Sequence, residues 1–226
     1  MPKDHASNAL GPDFEKILHE GRDLVLNIGA GATATRYENC IEFEHKIFRH
    51  TDVVGDAHHL PFRDDAFDRV FAFNVFEHLR DPKAAALEIF RVLKPGGMAM
   101  IHTAFLQALH EEPLHFYNAT EYGVREWFSA FEIDSCAVSW NFGPGVMLAF
   151  LVANLLDTAR EGGLSALNQT LLGDSMLSEW AQWWREPNGP RPAGFDALQN
   201  LPQNLQARLA AGFQLFARKP EEAPQP

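Results

Sequence analysis

Along the first half of the chain, short apolar runs ending in glycines or acids alternate with stretches whose apolar residues recur at helical spacing. Residues 12–20 place Phe14, Ile17 and Leu18 on one face of a helix opened by Pro12 and Asp13 and stopped by Gly21. Residues 24–28 form an apolar run that ends in Gly29-Ala30-Gly31, as a buried parallel strand released into a glycine turn does. Weaker strand runs follow at 40–43 and 51–54, and a strong one at 69–73. Residues 83–93 carry Ala84, Leu87, Ile89 and Val92 near helical spacing between Asp81-Pro82 and Pro95-Gly96-Gly97, and a strand is expected at 98–103. Such alternation predicts an open parallel α/β sheet.

The second half reads differently. A helix is expected over 120–131, started by Thr120, then a strand over 131–138. Residues 143–211 hold three helix-like patches broken by Gly162-Gly163 and by a Pro/Gly-rich stretch at 187–194. Residues 212–219 alternate as a half-buried strand should, and 220–226 read as a frayed tail. Together these predict a Rossmann-like seven-stranded, mostly parallel sheet with an antiparallel last strand. Residues 12–140 would form its core and 143–211 a helical insertion or cap.

Composition narrows the partners. The apolar fraction of 46% is that of an ordinary globular protein. A net charge of −11 repels a phosphate backbone, and no local Lys/Arg cluster offsets it, so nucleic acid is not expected as a partner. Cys40 and Cys136 make no disulfide framework or metal spacing. The first eleven residues are polar and show no signal segment, and the longest apolar run, 146–156, is too short to span a bilayer. A cytoplasmic protein is the resulting expectation.

A Gly-x-Gly turn after a buried strand lets backbone N–H groups approach a ligand, but alone it is a weak signal. The features behind it add weight. Glu44 closes the second strand at the distance where a carboxylate takes ribose hydroxyls in nucleotide-binding sheets, and Asp56 ends the third. Five segments occur in order at compatible spacing: Leu26-Asn27-Ile28-Gly29-Ala30-Gly31; Val54-Gly55-Asp56-Ala57; Leu60-Pro61-Phe62-x-Asp64-x-x-Phe67-Asp68; Phe76-Glu77-His78-Leu79-x-Asp81-Pro82; and Arg91-Val92-Leu93-Lys94-Pro95-Gly96-Gly97. On these segments the chain resembles the class I S-adenosylmethionine-dependent methyltransferases, in particular the small type 11 group, over about residues 22–140.

The resemblance implies S-adenosylmethionine as cofactor and methyl transfer to a small or medium-sized acceptor at O, N, S or C. It assigns the methionine part and ribose to Gly29, Ala30 and Gly31, with Asn27 beside them. Glu44 would hold the ribose hydroxyls, Asp56 the adenine amino group with Ala57 beside the ring, and Asn74 the sulfonium side. Three features depart from the family pattern: Asn27 stands where an acid is usual, Thr33 replaces a third glycine, and only about eleven residues, 29–39, separate the first two strands. A parallel crossover with a helix needs more chain, so a loop is expected at 32–39. Two other classes stay open: a cofactor-binding but non-catalytic partner protein, and a nicotinamide or nucleotide-sugar enzyme on a similar sheet.

His110, His115 and Tyr117 lie where the family builds its acceptor pocket and are the candidates for a general base, alongside a plain role in orienting the loop. His78 reads as structural or pocket-lining. The spacing of His110, Glu111 and His115 fits no recognisable metal site, and no metal is expected. The apolar run 146–156 and Trp180, Trp183 and Trp184 give the helical segment a surface suited to packing on the sheet, a homodimer contact, an acceptor lid or a membrane-resting face.

Overall fold

A computed structural model describes residues 12–139, 142–202 and 204–205. The chain forms two compact units, 1–144 and 145–226. In the first, helix α1 (Pro12–Glu20) precedes strands β1 (Val25–Ile28), β2 (Cys40–Glu44), β3 (Val53–Val54) and β4 (Phe67–Phe73). A 3₁₀ turn (Phe76–His78), α2 (Pro82–Val92), β5 (Leu93–His102) and α3 (Glu121–Trp127) follow. The five strands pair in the order β3-β2-β1-β4-β5, every pair parallel. Strand order reverses between β1 and β4, which opens a crevice at their carboxyl ends.

Period-two alternation gives the sheet two faces. Leu26 and Ile28, Ile41 and Phe43, Val70 and Ala72, and Ile101 point into one apolar core, which α2 closes with Ala85, Ala86, Ile89 and Val92 and α3 with Val124 and Trp127. On the other face Val25, Cys40, Phe71 and Phe73 meet Leu18, Phe14 and Ile17 of α1. Helix α2 starts cleanly because the Asp81 carboxylate accepts the Ala84 N–H (3.0 Å) and Pro82 occupies the first turn, where its missing N–H costs nothing.

The expected missing crossover helix is a loop: residues 29–39 contain no helix. Other expectations need correction. Five strands are described rather than seven. Residues 131–138 form no strand; Phe131 and Ile133 bury against the α2/α3 core, Phe131 edge-on to Phe90 at 5.2 Å, and Val138 is exposed. Their alternation is met by side-chain packing without pairing to β5. The strand expected at 212–219, with its antiparallel pairing, lies outside the described residues. Helix α3 is shorter than 120–131, although Thr120 does cap it by accepting the Gly123 N–H (3.2 Å). Strand β5 starts at Leu93 rather than Met98 and absorbs the Pro95-Gly96-Gly97 stop through a register irregularity opposite β4.

Among the described residues the second unit contains α4 (Pro144–Glu161), α5 (Ala166–Gly173), α6 (Leu177–Arg185) and α7 (Phe195–Gln199), more helices than the three patches the sequence suggests. Trp183 packs on Phe195 at 4.3 Å, and Gly194, at φ +85°, seats its backbone against Leu172. Leu148, Phe150 and Trp184 are exposed. Among the described residues no helix is long and apolar enough to cross a membrane.

Candidate functional site

Because all five strands are parallel, their carboxyl ends share one rim, and the predicted cofactor residues lie along it. Strand β1 delivers Gly29-Ala30-Gly31, with Gly29 at φ +67° and Gly31 at φ +70°. Only glycine holds such angles without strain. Gly29 has a second constraint, since a Cβ there would lie 2.3 Å from Val75 Cγ2 at the end of β4. The turn is tied to β2 twice: Gly29 N–H donates to Phe43 O (2.9 Å), and Gly31 N–H donates to Glu44 Oε1. Asn27 and Glu44 are buried at 4% exposure each, and Ala30 is buried as well.

The Glu44 carboxylate is therefore already part of the glycine turn, and its other oxygen lies 3.5 Å from His45 Nδ1. A carboxylate offers about four acceptor positions, so engagement by one N–H leaves capacity for hydroxyl donors. Beside it sits a group that sequence reasoning missed. Glu42, one pleat back on β2 and opposite Asn27, accepts Thr33 Oγ1 (2.6 Å), and the same hydroxyl is 3.1 Å from His50 Nδ1. Burial pushes the Glu42 carboxyl up in pKa, only partly offset by the Thr33 hydrogen bond. Thr33 stands at the missing third glycine, so that departure serves to satisfy a buried acid. Its spacing from Glu42 carries no recognisable signature.

At the end of β3, Asp56 is exposed and Ala57 buried. Asp56 Oδ1 accepts the His58 N–H (2.9 Å) and the His58 ring Nδ1–H. His58 Nε2 accepts the Asp81 N–H (3.1 Å), so the ring proton must reside on Nδ1. The backbone N–H of His58, and then its ring, hold the Asp56 carboxyl below its ordinary pKa. Asn74 ends β4 at φ +54°, a left-handed conformation that asparagine tolerates better than most residues, and its N–H donates to His102 O (2.9 Å).

The loop after β5 carries His110, His115 and Tyr117 and is fastened to the 3₁₀ turn: Phe116 and Tyr117 N–H both donate to Glu77 O (2.8 and 3.2 Å). It brings His78, His110 and His115 together, with ring centroids 4.3–5.7 Å apart. A carbonyl can only accept, which assigns the protons. His115 Nε2–H donates to Tyr117 O (3.0 Å), while its Nδ1 accepts the His110 N–H (3.3 Å), so both its nitrogens are engaged. His110 Nδ1–H donates to Ala108 O (3.0 Å), leaving its Nε2 lone pair for other chemistry. Tyr117 donates its hydroxyl to Arg80 O (3.1 Å). Burial holds His78 and His115 below the ordinary imidazole pKa and pushes the fully buried Glu77 carboxyl above its own.

Comparison with known proteins adds an independent line. Residues 29–101 match the methyltransferase domain family model Methyltransf_11. An uncharacterized methyltransferase of Schizosaccharomyces pombe is 29% identical over 208 residues, covering 78% of this chain and 74% of that protein. A sterol 24-C-methyltransferase of the same yeast is 27% identical over 129 residues, covering 54% of this chain and only 28% of its own length. Among solved structures, a putative methyltransferase of Bacillus halodurans aligns with TM-score 0.41 at 17% identity, covering 53% of this chain and 68% of that one. The matched segment 29–101 runs from the glycine turn through β5 and so spans Glu44, Asp56 and Asn74. The match of residues 29–101 and the methyltransferase relatives support the reading of this chain as a class I S-adenosylmethionine-dependent methyltransferase, with S-adenosylmethionine as cofactor.

Proposed function

We propose that the chain binds S-adenosylmethionine across the rim formed by β1, β2 and β3 and transfers its methyl group to a small or medium-sized acceptor. The observation that carries this reading is the glycine turn joined to a buried carboxylate, Gly31 N–H on Glu44, at the carboxyl end of a parallel sheet and beside its switch point. Gly29 and Gly31 present backbone to the methionine part and ribose, and Glu44 accepts from the ribose hydroxyls. Asp56, kept ionised and aimed by His58, accepts the adenine amino group, with Ala57 beside the ring. Asn74 faces the sulfonium side, and Asn27 supports the turn without contributing charge.

Bound there, the cofactor supplies a methyl group on a positively charged sulfur. The protein's part in such an in-line displacement is alignment and exclusion of water. Where the acceptor arrives protonated, His110 Nε2 is the base this reading selects as long as no metal ion occupies it, because hydrogen bonds already occupy both nitrogens of His115 and the Tyr117 hydroxyl. Thermal denaturation with S-adenosylhomocysteine and with NAD tests the cofactor. A raised midpoint with the first alone is expected, since a ligand that binds only the folded state stabilises it. Stabilisation by NAD alone would overturn the reading. Asp56→Ala and Glu44→Ala should each weaken S-adenosylhomocysteine binding in calorimetry, and unchanged affinity would remove that residue from the site.

A further inference from the structure

Glu77, His78 and His110 form a cluster to which cofactor binding gives no task. A ring nitrogen of each histidine and a carboxylate oxygen of Glu77 lie within 4.8 Å of one another. Glu77 is fully buried; its Oε2 accepts Thr103 Oγ1 (3.0 Å), and its Oε1 is buried without a hydrogen-bond partner. Both rings are held from behind by carbonyls, His78 Nδ1–H on Leu114 O (3.1 Å) and His110 Nδ1–H on Ala108 O (3.0 Å). That leaves each Nε2 as the nitrogen that can offer a lone pair. Carbonyl-anchored imidazoles of fixed tautomer are how proteins orient metal-ligating histidines.

We propose that Glu77, His78 and His110 bind one divalent transition-metal ion through Glu77 Oε1 and the Nε2 atoms of both rings. Two bonds of about 2.0–2.2 Å span at most about 4.4 Å across an ion, and one potential ligand atom from each of the three residues already lies within 4.8 Å of the other two, so small side-chain movements suffice to share an ion. Two imidazoles and one carboxylate suit Zn²⁺ and its first-row neighbours rather than Mg²⁺ or Ca²⁺, which take oxygen ligands. His115 is no fourth ligand, because both its nitrogens are engaged. Three protein donors leave a coordination position for water or for an oxygen of a second molecule. The site is built from the 3₁₀ turn and the loop after β5, so it stands independently of the cofactor assignments.

The test uses tag-free, chelator-treated protein titrated with Co²⁺ and followed in the visible. One equivalent should bind with d–d absorption bands, and Zn²⁺ should displace it. His110 lies on a loop and its replacement should leave the fold intact by circular dichroism. His110→Ala should weaken Co²⁺ binding about tenfold or more, and Glu77→Gln should do the same. His110→Asn, closer in size and polarity, serves if the alanine variant does not fold. His59→Ala, a histidine outside the cluster, should bind as the wild type does. Failure to bind a stoichiometric ion at micromolar Co²⁺ overturns the proposal, and so does wild-type affinity in folded His110→Ala and Glu77→Gln.

Discussion

The two faces of the sheet are finished by opposite means. One is apolar throughout and roofed by two helices, with Phe43, Phe76, Ile89 and Val92 at or below 1% exposure. The other mixes Phe71 and Phe73 with Asn27, Glu42 and Glu44, and among the described residues of this unit α1 and loops cover it. A helix has spent its backbone groups on itself, so it covers apolar side chains well and buried acids badly. A loop can turn N–H and hydroxyl groups inward, as Gly31 does to Glu44 and Thr33 to Glu42. The short link between β1 and β2 thus replaces a crossover helix and supplies the donors that let this face hold carboxylates beside the glycine turn.

Substitutions can break or sharpen this contrast. The largest loss is expected on the apolar face: Ile89→Ala should cost about 2–5 kcal/mol in urea unfolding, and a loss below about 1 kcal/mol would mean this face does not carry the stability. Gly29→Ala comes next. It forces a left-handed angle on alanine, of order 1–3 kcal/mol, and drives its Cβ into Val75, so S-adenosylhomocysteine affinity should fall together with stability. Thr33→Val removes the donor to Glu42 and should cost roughly 1–3 kcal/mol at neutral pH. If Thr33→Val proved neutral, the loop would not be what makes the second face tolerate its acids.

Two smaller effects should appear as pH slopes of opposite sign. Burial raises the Glu42 pKa above the ordinary carboxyl value of 4.5, so the folded state holds a proton that the unfolded chain has released, and stability is lost as pH rises from about that value. Glu42→Gln removes this cost, and its melting temperature relative to wild type should climb with pH. Burial lowers the pKa of His102, whose ring stacks on Phe73 at 4.5 Å, so the unfolded chain takes up a proton first as pH falls below about 6.5. His102→Phe should therefore gain relative to wild type from pH 7 to 5. Parallel profiles for variant and wild type would show that neither group is titrating differently in the folded state.

Much of the core was legible in the chain because its signals are local. The run ending at Ile28, the glycines that permit positive φ, Asp81-Pro82 at the start of α2 and the short reach to Cys40 each act within a few residues. The expected strand at 131–138 misled for the same reason. Alternation reports only that every second side chain is buried, and Phe131 and Ile133 achieve that against α3 without a partner strand. The histidines were also legible as a group near the rim. Their division of labour was not, because it depends on which carbonyl stands behind which nitrogen.

By itself, then, the sequence determined the parallel α/β core, the glycine turn, the acids closing β2 and β3, and the methyltransferase resemblance that they carry. Those follow from residue type and spacing along the chain, where propensity, periodicity and turn chemistry operate. Tertiary structure alone decided that Val75 closes the space behind Gly29, that His58 aims Asp56, and that Thr33 answers Glu42. It alone brought Glu77 and His78 to His110, more than thirty residues away. Each of these depends on atoms meeting across strands and loops, at distances that spacing along the chain does not encode.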